Sequence, residues 1–348
     1  MLDFAFIRNM HFPTPAMFSE LRFHLPELLQ NYGSSQGVLD TKLSWALHWP
    51  EVHTHLLSGA SQVYPWLGGW FAGRRVLVPD PTFGEYPRVL PDADRYRDAP
   101  GVDWDEIERK GAAADVVVFV NPNNPTGTTL QSERIAAFAR AHEHTTVVVD
   151  ESFVEFSGQQ PMAEIAPRDG LRNVLVVKSL SKSLGVPGLR LGALLTLDEE
   201  LSARIGQATP IWNTNSVAEN FLDIMLKHRP ALEQSFRRTV SDRADLAAML
   251  ARLPVVDRVF PSGGNFVLAR LAIPGAATSE LTARLVEKRL VHVKDVSHKF
   301  PGDDGYWRVA VRTPADHDRL LDAVTQLAHR RYEHPSPAVS GAVPGGMA

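Results

Sequence analysis

Five short runs of apolar, β-branched residues punctuate the middle of the chain: 74–80 (RRVLVPD), 114–122 (ADVVVFVNP), 145–153 (TTVVVDESF), 173–180 (NVLVVKSL) and 190–197 (RLGALLTL). Their polarity is nearly uniform, which is the pattern of strands covered on both faces. Between most of them lie segments with apolar positions at helical spacing, as in 131–144, where Ile135, Ala136, Phe138 and Ala139 recur. Strands alternating with helices predict a mostly parallel α/β sheet whose ligand chemistry sits just past the carboxyl ends of the strands. A long helical stretch, 216–251, leads into a second region. From 254 it reads strand, strand, helix, strand, strand, helix, a compact α+β unit, and the Pro-, Gly-, Ser- and Ala-rich residues 334–348 have little to bury and are expected to form a disordered tail.

Composition narrows this picture. With 348 residues, two domains are expected at about 150 residues each. The chain has no cysteine, so thiol nucleophiles, Cys-ligated metals and disulfides are excluded, and any covalent catalysis must use another residue. The N-terminal segment lacks a basic region followed by an apolar stretch, and no run approaches the roughly 18 apolar residues of a membrane span, so a cytoplasmic, non-membrane protein is expected. A net charge of -4 with scattered basic residues gives no footprint for nucleic acid. The basic cluster Arg237, Arg238 and Arg243 reads as a solvated helix face.

Chemistry-bearing residues fall where the strands end. Asn121-Pro122-Asn123-Asn124-Pro125-Thr126-Gly127 is a turn whose Asn side chains offer donors and acceptors. Asp150-Glu151-Ser152-Phe153 places an acid where a buried strand opens into a cleft, a position that equally suits a helix N-cap. Ser179-Leu180-Ser181-Lys182-Ser183-Leu184-Gly185, followed by Gly188-Leu189-Arg190-Leu191-Gly192, sets a lysine among hydroxyls and glycines. A lysine Schiff base is one of the few nucleophilic routes open to a cysteine-free chain, although a serine-rich loop with a surface lysine fits the same residues.

In order and spacing, NPNNPTG, VVVDESF, SLSKSLG and LRLG together resemble the fold-type I pyridoxal-phosphate enzymes, specifically the class I/II aminotransferase family, over about residues 20–330. Within that family the chain looks like the branch holding histidinol-phosphate aminotransferase and threonine-phosphate decarboxylase. The resemblance implies an α/β large domain (35–245) binding pyridoxal 5'-phosphate, a small α+β domain assembled from 1–34 and 246–332, and a homodimer with shared active sites. Lys182 matches the lysine that forms the Schiff base and shuttles the Cα proton, tasks that need an amine of lowered pKa. Asp150 matches the carboxylate paired with the pyridinium nitrogen, which keeps the ring an electron sink. Asn124 matches the amide on the ring's 3-oxygen and borders the substrate. The run Leu57-Ser58-Gly59-Ala60-Ser61 matches the phosphate-binding turn at a helix N-terminus, with Arg190 as the phosphate arginine and Ser179 and Ser181 supplying hydroxyls. Phe83 falls where the family stacks an aromatic ring on the cofactor, core packing being its other reading. Tyr32 resembles the tyrosine that reaches the neighbouring subunit's cofactor phosphate.

Arg308 matches the substrate-carboxylate arginine, a planar fork suited to that group. Arg312 lies four residues on and, in a regular strand, on the same face, where it would meet a second anionic group of the substrate. Capping the next helix, or pairing with Asp316 or Asp318, is its blander role.

Two departures bear on the reaction. Phe153 stands where family aminotransferases usually carry a tyrosine, so one hydrogen bond to the cofactor, worth about 1 kcal/mol, is missing and the Schiff base pKa rises slightly. Threonine-phosphate decarboxylases resemble the chain there. The N-terminal Phe4-Ala5-Phe6-Ile7-Arg8-Asn9-Met10-His11-Phe12 is aromatic where a phosphate-binding loop would be polar. The expectation is therefore a pyridoxal-phosphate enzyme acting at the α-carbon of an α-amino acid, with transamination first and decarboxylation or β-elimination close behind. A non-catalytic binding protein on the same fold is the rival, disfavoured by the joint presence of Lys182, Asp150, Asn124 and Arg190. His53 and His55 share a strand face but lack a third ligand, and no metal is expected.

Overall fold

The structure, a computed structural model, describes residues 1–49, 54–99 and 101–332, the last five as backbone; the expected tail and His53 lie outside the described residues. Seven strands form the main sheet, in the spatial order Thr54–Leu57, Gly192–Thr196, Val174–Lys178, Thr146–Asp150, Val116–Val120, Val76–Asp80 and Asp94–Arg97. Gly192–Thr196 runs antiparallel to both neighbours and the remaining pairings are parallel. Alternate residues of these strands enter two separate cores. Val117, Val147, Val149 and Val176 face one, and Val116, Val118, Val148 and Val177 the other. Burial on both faces is why these strands read as uniform apolar runs.

The second unit is an antiparallel sheet in the order Lys294–Asp295, Asp304–Ala310, Phe266–Pro274, Val256–Val259, backed by helices Gly275–Arg289 and Pro314–Tyr332. Its core holds Trp307, Val309, Leu285 and Leu320 together with Leu2 and Phe4, and Leu2–Asp3 pairs in parallel with Val291–His292. The chain's first residues thus belong to this unit, but 1–34 does not join it as a block. Phe12 and Met17 pack in the large unit's core, because helix Pro15–Gln30, capped by Thr14, lies on helix Ser216–Leu226, and Phe12 meets Phe221 edge to face at 6.4 Å.

The stretch 216–251 is two helices, Ser216–Leu226 and Arg229–Leu250. Pro230, which has no N–H to give, opens the second. That helix joins the units, with Leu232 in the large core and Leu246 and Leu250 in the small one. Arg237 and Arg238 are exposed, but Arg243 is half-buried and donates to the carbonyls of Phe156 (2.9 Å) and Gly264 (2.8 Å), tying the units together. Among the described residues no helix is long and apolar enough to cross a membrane.

Candidate active site

The carboxyl ends of the central strands open into a cavity of the large unit, lined by Ala60, Ser61, Tyr64, Phe83, Val120, Asn124, Asp150, Ser152, Phe153, Ser179, Lys182 and Arg190.

Lys182 lies in a single helical turn, Leu180–Ser183, directly after strand Val174–Lys178. Gly185 ends the turn with φ +67°, and a Cβ there would collide with the Phe12 and Asn9 carbonyls. Asn9 holds the turn from the other side: its N–H donates to the Lys182 carbonyl (2.9 Å) and its amide to the Ser183 carbonyl (2.9 Å). Burial pushes the Lys182 amine below its ordinary pKa, and the charges of Arg308 and Arg190 push the same way, with Asp150 opposing. A lowered pKa makes the amine a better proton donor and a more available nucleophile than a lysine in water.

Asp150 ends the Thr146–Asp150 strand. It accepts from the Ser152 N–H (3.0 Å) and hydroxyl (2.6 Å) on one oxygen and from the Tyr86 hydroxyl (2.8 Å) on the other. Burial raises its pKa, and the donors from Ser152 and Tyr86 work against that rise. The Tyr64 ring meets Tyr86 edge to face at 5.4 Å and Phe83 at 5.7 Å, closing an aromatic wall.

Asn123 braces the asparagine turn, donating to the Pro81 carbonyl (2.8 Å) and accepting from the Thr82 hydroxyl (2.9 Å), and Thr126 donates to buried Asp98 (2.5 Å). This leaves Asn124 free to face the cavity and to accept from Arg308 Nη1 at 2.8 Å. Arg308 projects from strand Asp304–Ala310, also donates to the Ala5 carbonyl, and lies over the Phe266 ring at 5.9 Å. Burial lowers its pKa to about 10.

At the opposite end Gly59, with φ +81°, turns the chain from strand Thr54–Leu57 into the short helical turn Ala60–Gln62. The first amides of such a turn have no intrahelical acceptor and can bind an anion. Arg190 donates to the Ser61 hydroxyl (2.9 Å), and a Cβ on Gly59 would come within 2.5 Å of its guanidinium. Gly192 allows the same turn to lie against its strand, since a Cβ there would be 2.3 Å from the Ala60 nitrogen.

Three expected site residues lie elsewhere. Ser181 is buried and directed at the Leu191 carbonyl, 3.5 Å away. Tyr32 is 77% exposed and stacked on Trp212 at 4.4 Å, on the outside of the molecule. Arg312 does not share the outlook of Arg308 and is not part of the cavity: the strand ends at Ala310, and Arg312 pairs with Asp316 (3.0 Å) and the Asp3 carbonyl (3.0 Å). A carboxylate one helical turn into the next helix neutralises it. His55 is hydrogen-bonded to Ser202 at 2.9 Å, with Asp40 3.8 Å away. Sequence reasoning missed Tyr86 and Ser152, although both stand inside the motifs PTFGEY and DESF, and it missed Tyr64 and Asn9, for which no local pattern signals a role.

A cleft with a buried lysine, a buried aspartate and an anion-binding turn at the carboxyl edge of a mostly parallel sheet defines a fold-type I pyridoxal-phosphate site. The family model "Aminotransferase class I and II" matches residues 24–324, and the chain belongs to that family, whose members are pyridoxal-phosphate-dependent enzymes acting on amino acids. It is 35% identical over 341 residues to CMP-5'-(3-aminopropyl)phosphonate synthase of Streptomyces rubellomurinus, covering 93% of this chain and 52% of that protein. With threonine-phosphate decarboxylase of Salmonella typhimurium it shares 27% over 265 residues, 73% of this chain and 71% of the relative. The solved histidinol-phosphate aminotransferase of Clostridium acetobutylicum has the same fold, with a TM-score of 0.83 at 23% identity, covering 95% of this chain and all of that one. The chain spans about half the length of the first curated relatives it matches.

Proposed function

We propose that the chain removes the α-carboxylate of an α-amino acid as carbon dioxide, leaving a primary amine, with Lys182 as the covalent anchor of pyridoxal phosphate and the group that handles the proton. One observation carries the cofactor reading. Asp150, fully buried and aimed into the cavity, has three donors but no ion-pair partner among the described residues, so a cationic ring nitrogen is the partner its charge lacks. Ala60, Ser61, Ser179 and Arg190 supply the donors and positive charge that a phosphate needs, Phe83 the ring face, and Asn124 the amide for the 3-oxygen. When bound, the cofactor supplies an electron sink for negative charge at the substrate's α-carbon.

Arg308 and Asn124 orient the substrate's carboxylate end. The bond from the α-carbon to the carboxylate breaks, its electron pair stays on the α-carbon side, and a proton from Lys182 Nζ completes the new Cα–H bond. Phe153, packed edge to face on Phe266 at 5.2 Å within an apolar cluster holding Ile7 and Ala310, keeps water away from that side. The similarity to a synthase whose named product is a primary alkylamine, together with Phe153, supports decarboxylation. Transamination is the second reading, supported by the intact Arg308–Asn124 fork, which suits a carboxylate that remains on the substrate. In that case Lys182 Nζ takes the α-proton instead of giving one. Incubating the holoenzyme with candidate amino acids decides between them: released carbon dioxide and amine uphold decarboxylation, whereas a 2-oxo acid with conversion of the cofactor to its amine form overturns it.

The active form is a homodimer with shared sites. Phe23, Leu29, Tyr32, Trp45, Ile211 and Trp212 are large and exposed; helices Pro15–Gln30 and Gln36–Leu47, which carry three of them, both pack on helix Ser216–Leu226, Tyr32 stacks on Trp212, and Trp212 is held at φ +50°. An apolar surface of this kind is normally covered, and a second copy would bring Tyr32 to a neighbouring phosphate site. Ile211→Asp with Trp212→Ser should shift the sedimentation coefficient from dimer to monomer; a monomeric wild type overturns this reading.

A further inference from the structure

We propose that Ser152 is a positioning residue for the cofactor's ring: its hydroxyl, aimed by the Ser179 N–H, keeps the Asp150 carboxylate ionised and turned into the cavity, and ties it to the turn that carries Lys182. The inference rests on the pairing of Asp150 with the ring nitrogen proposed above. Strands Thr146–Asp150 and Val174–Lys178 run parallel with Asp150 opposite Val177, and the Glu151 N–H still donates to the Val177 carbonyl (2.8 Å). Just beyond, the ladder is broken. The Ser179 N–H finds the Ser152 hydroxyl oxygen (3.2 Å) rather than a carbonyl, and Ser179 is the N-cap residue of the turn Leu180–Ser183. Ser152 and Ser179 both line the cavity beside Asp150 and Lys182, so the bridge runs along its wall.

A hydroxyl has one hydrogen to give. With Ser179 donating to its oxygen, the Ser152 hydrogen goes to Asp150 Oδ1 at 2.6 Å, a length typical of a charge-assisted O–H···O⁻ bond. The Ser152 N–H reaches the same oxygen (3.0 Å), and the Tyr86 hydroxyl holds the other (2.8 Å). An ionised Oδ1 accepts both Ser152 donors, whereas a protonated one would meet them with a hydrogen. Burial raises the pKa of the Asp150 carboxyl, and the Ser152 hydroxyl is the foremost donor acting against that rise, ahead of Tyr86. The next residue, Phe153, packs its ring on Phe266 and has no hydroxyl to offer the 3-oxygen, so the polar support in this stretch goes to the nitrogen side alone. A carboxylate fixed as an anion at the nitrogen favours the cationic ring, the state in which the cofactor accepts electrons best.

Pyridoxal phosphate and its analogue with a C–H in place of the ring nitrogen, each titrated calorimetrically into the cofactor-free full chain, read this contact without any turnover. Wild type should bind the cofactor at least about tenfold more tightly than the analogue. Ser152→Ala should bind the cofactor about tenfold more weakly than wild type does and the analogue equally well, because the hydroxyl acts through the charge that Asp150 shares with the nitrogen. Ser152→Thr keeps a hydroxyl and should stay within about threefold of wild type for both ligands. A serine with a merely structural role would weaken both ligands alike on removal, and that result overturns the proposal. So does full cofactor affinity in Ser152→Ala, or a Ser152→Thr as impaired as Ser152→Ala. If wild type itself does not prefer the cofactor to the analogue, the pairing of Asp150 with the nitrogen fails and the proposal falls with it. A wild-type preference that survives undiminished in Ser152→Ala removes the role of the serine alone.

Discussion

Lys178 and Lys182 are four residues apart, both largely withdrawn from water, and treated oppositely by the protein. Lys178 faces the rear of the sheet's carboxyl edge, where it pairs with Glu155 at 2.6 Å. Burial alone would lower its pKa, but the charges of Glu155 and Glu151 outweigh that and raise it. Lys182 faces the cavity among arginines, and its pKa falls. The adjacent acids divide in the same way. Asp150 faces the cavity, and Glu151, on the rear, accepts from the Met162 N–H at 2.5 Å at the start of helix Met162–Asp169. On the rear, buried charge is neutralised within the fold. On the cavity side it is left to be answered by a ligand.

Four changes test this division. Lys182→Ala should have the largest effect, abolishing the visible band and lowering turnover by about 10²–10⁴-fold, while a urea melt shows little loss of stability. A marked loss of stability would place Lys182 among the structural charges. Lys178→Met should do the converse, destabilising the protein by roughly 3–5 kcal/mol in the same melt because two carboxylates lose their cation, while the band persists in what remains folded.

Glu151 makes the third test through pH. Burial pushes its carboxyl up from 4.5 to about 7, with Lys178 opposing. Below the ordinary value both folded and unfolded chains hold the proton. Between 4.5 and about 7 only the folded chain does, so this residue's contribution is lost as pH rises across that window and levels off above it. Stability of Glu151→Gln measured against pH should lack that decline; a curve parallel to wild type would refute the assignment. The smallest effect should come from Tyr86→Phe, which deletes one donor to Asp150. Cofactor affinity should fall by about 1 kcal/mol, read by titrating the band, with an unchanged melting temperature of the cofactor-free protein.

Much of the large unit was legible in the sequence because its strands are buried on both faces, which leaves no polar alternation to confuse the pattern. Edge strand Asp94–Arg97, with only Tyr96 buried, carries charged residues and was missed for the corresponding reason. At the site, Lys182, Asp150 and Asn124 were legible because each follows an apolar run within a distinctive motif. Asn9 was not, since nothing local distinguishes an asparagine that braces a distant turn from one in solvent. Arg312 was legible in two ways, as a second anion-binding arginine sharing a face with Arg308 or as a partner of Asp316, and the end of the strand at Ala310 decides for the pairing with Asp316.

By itself the sequence determined which segments are strands and helices, and that the covalent step in a cysteine-free chain falls to a lysine, because periodicity and residue chemistry are local properties. Only the tertiary structure decided which charges are neutralised and which are left waiting. Whether Lys178, Lys182, Arg308 or Arg312 meets a carboxylate depends on residues distant in sequence or on where an element ends. Burial, which sets the cost of leaving a charge unpaired, exists only once the chain has folded.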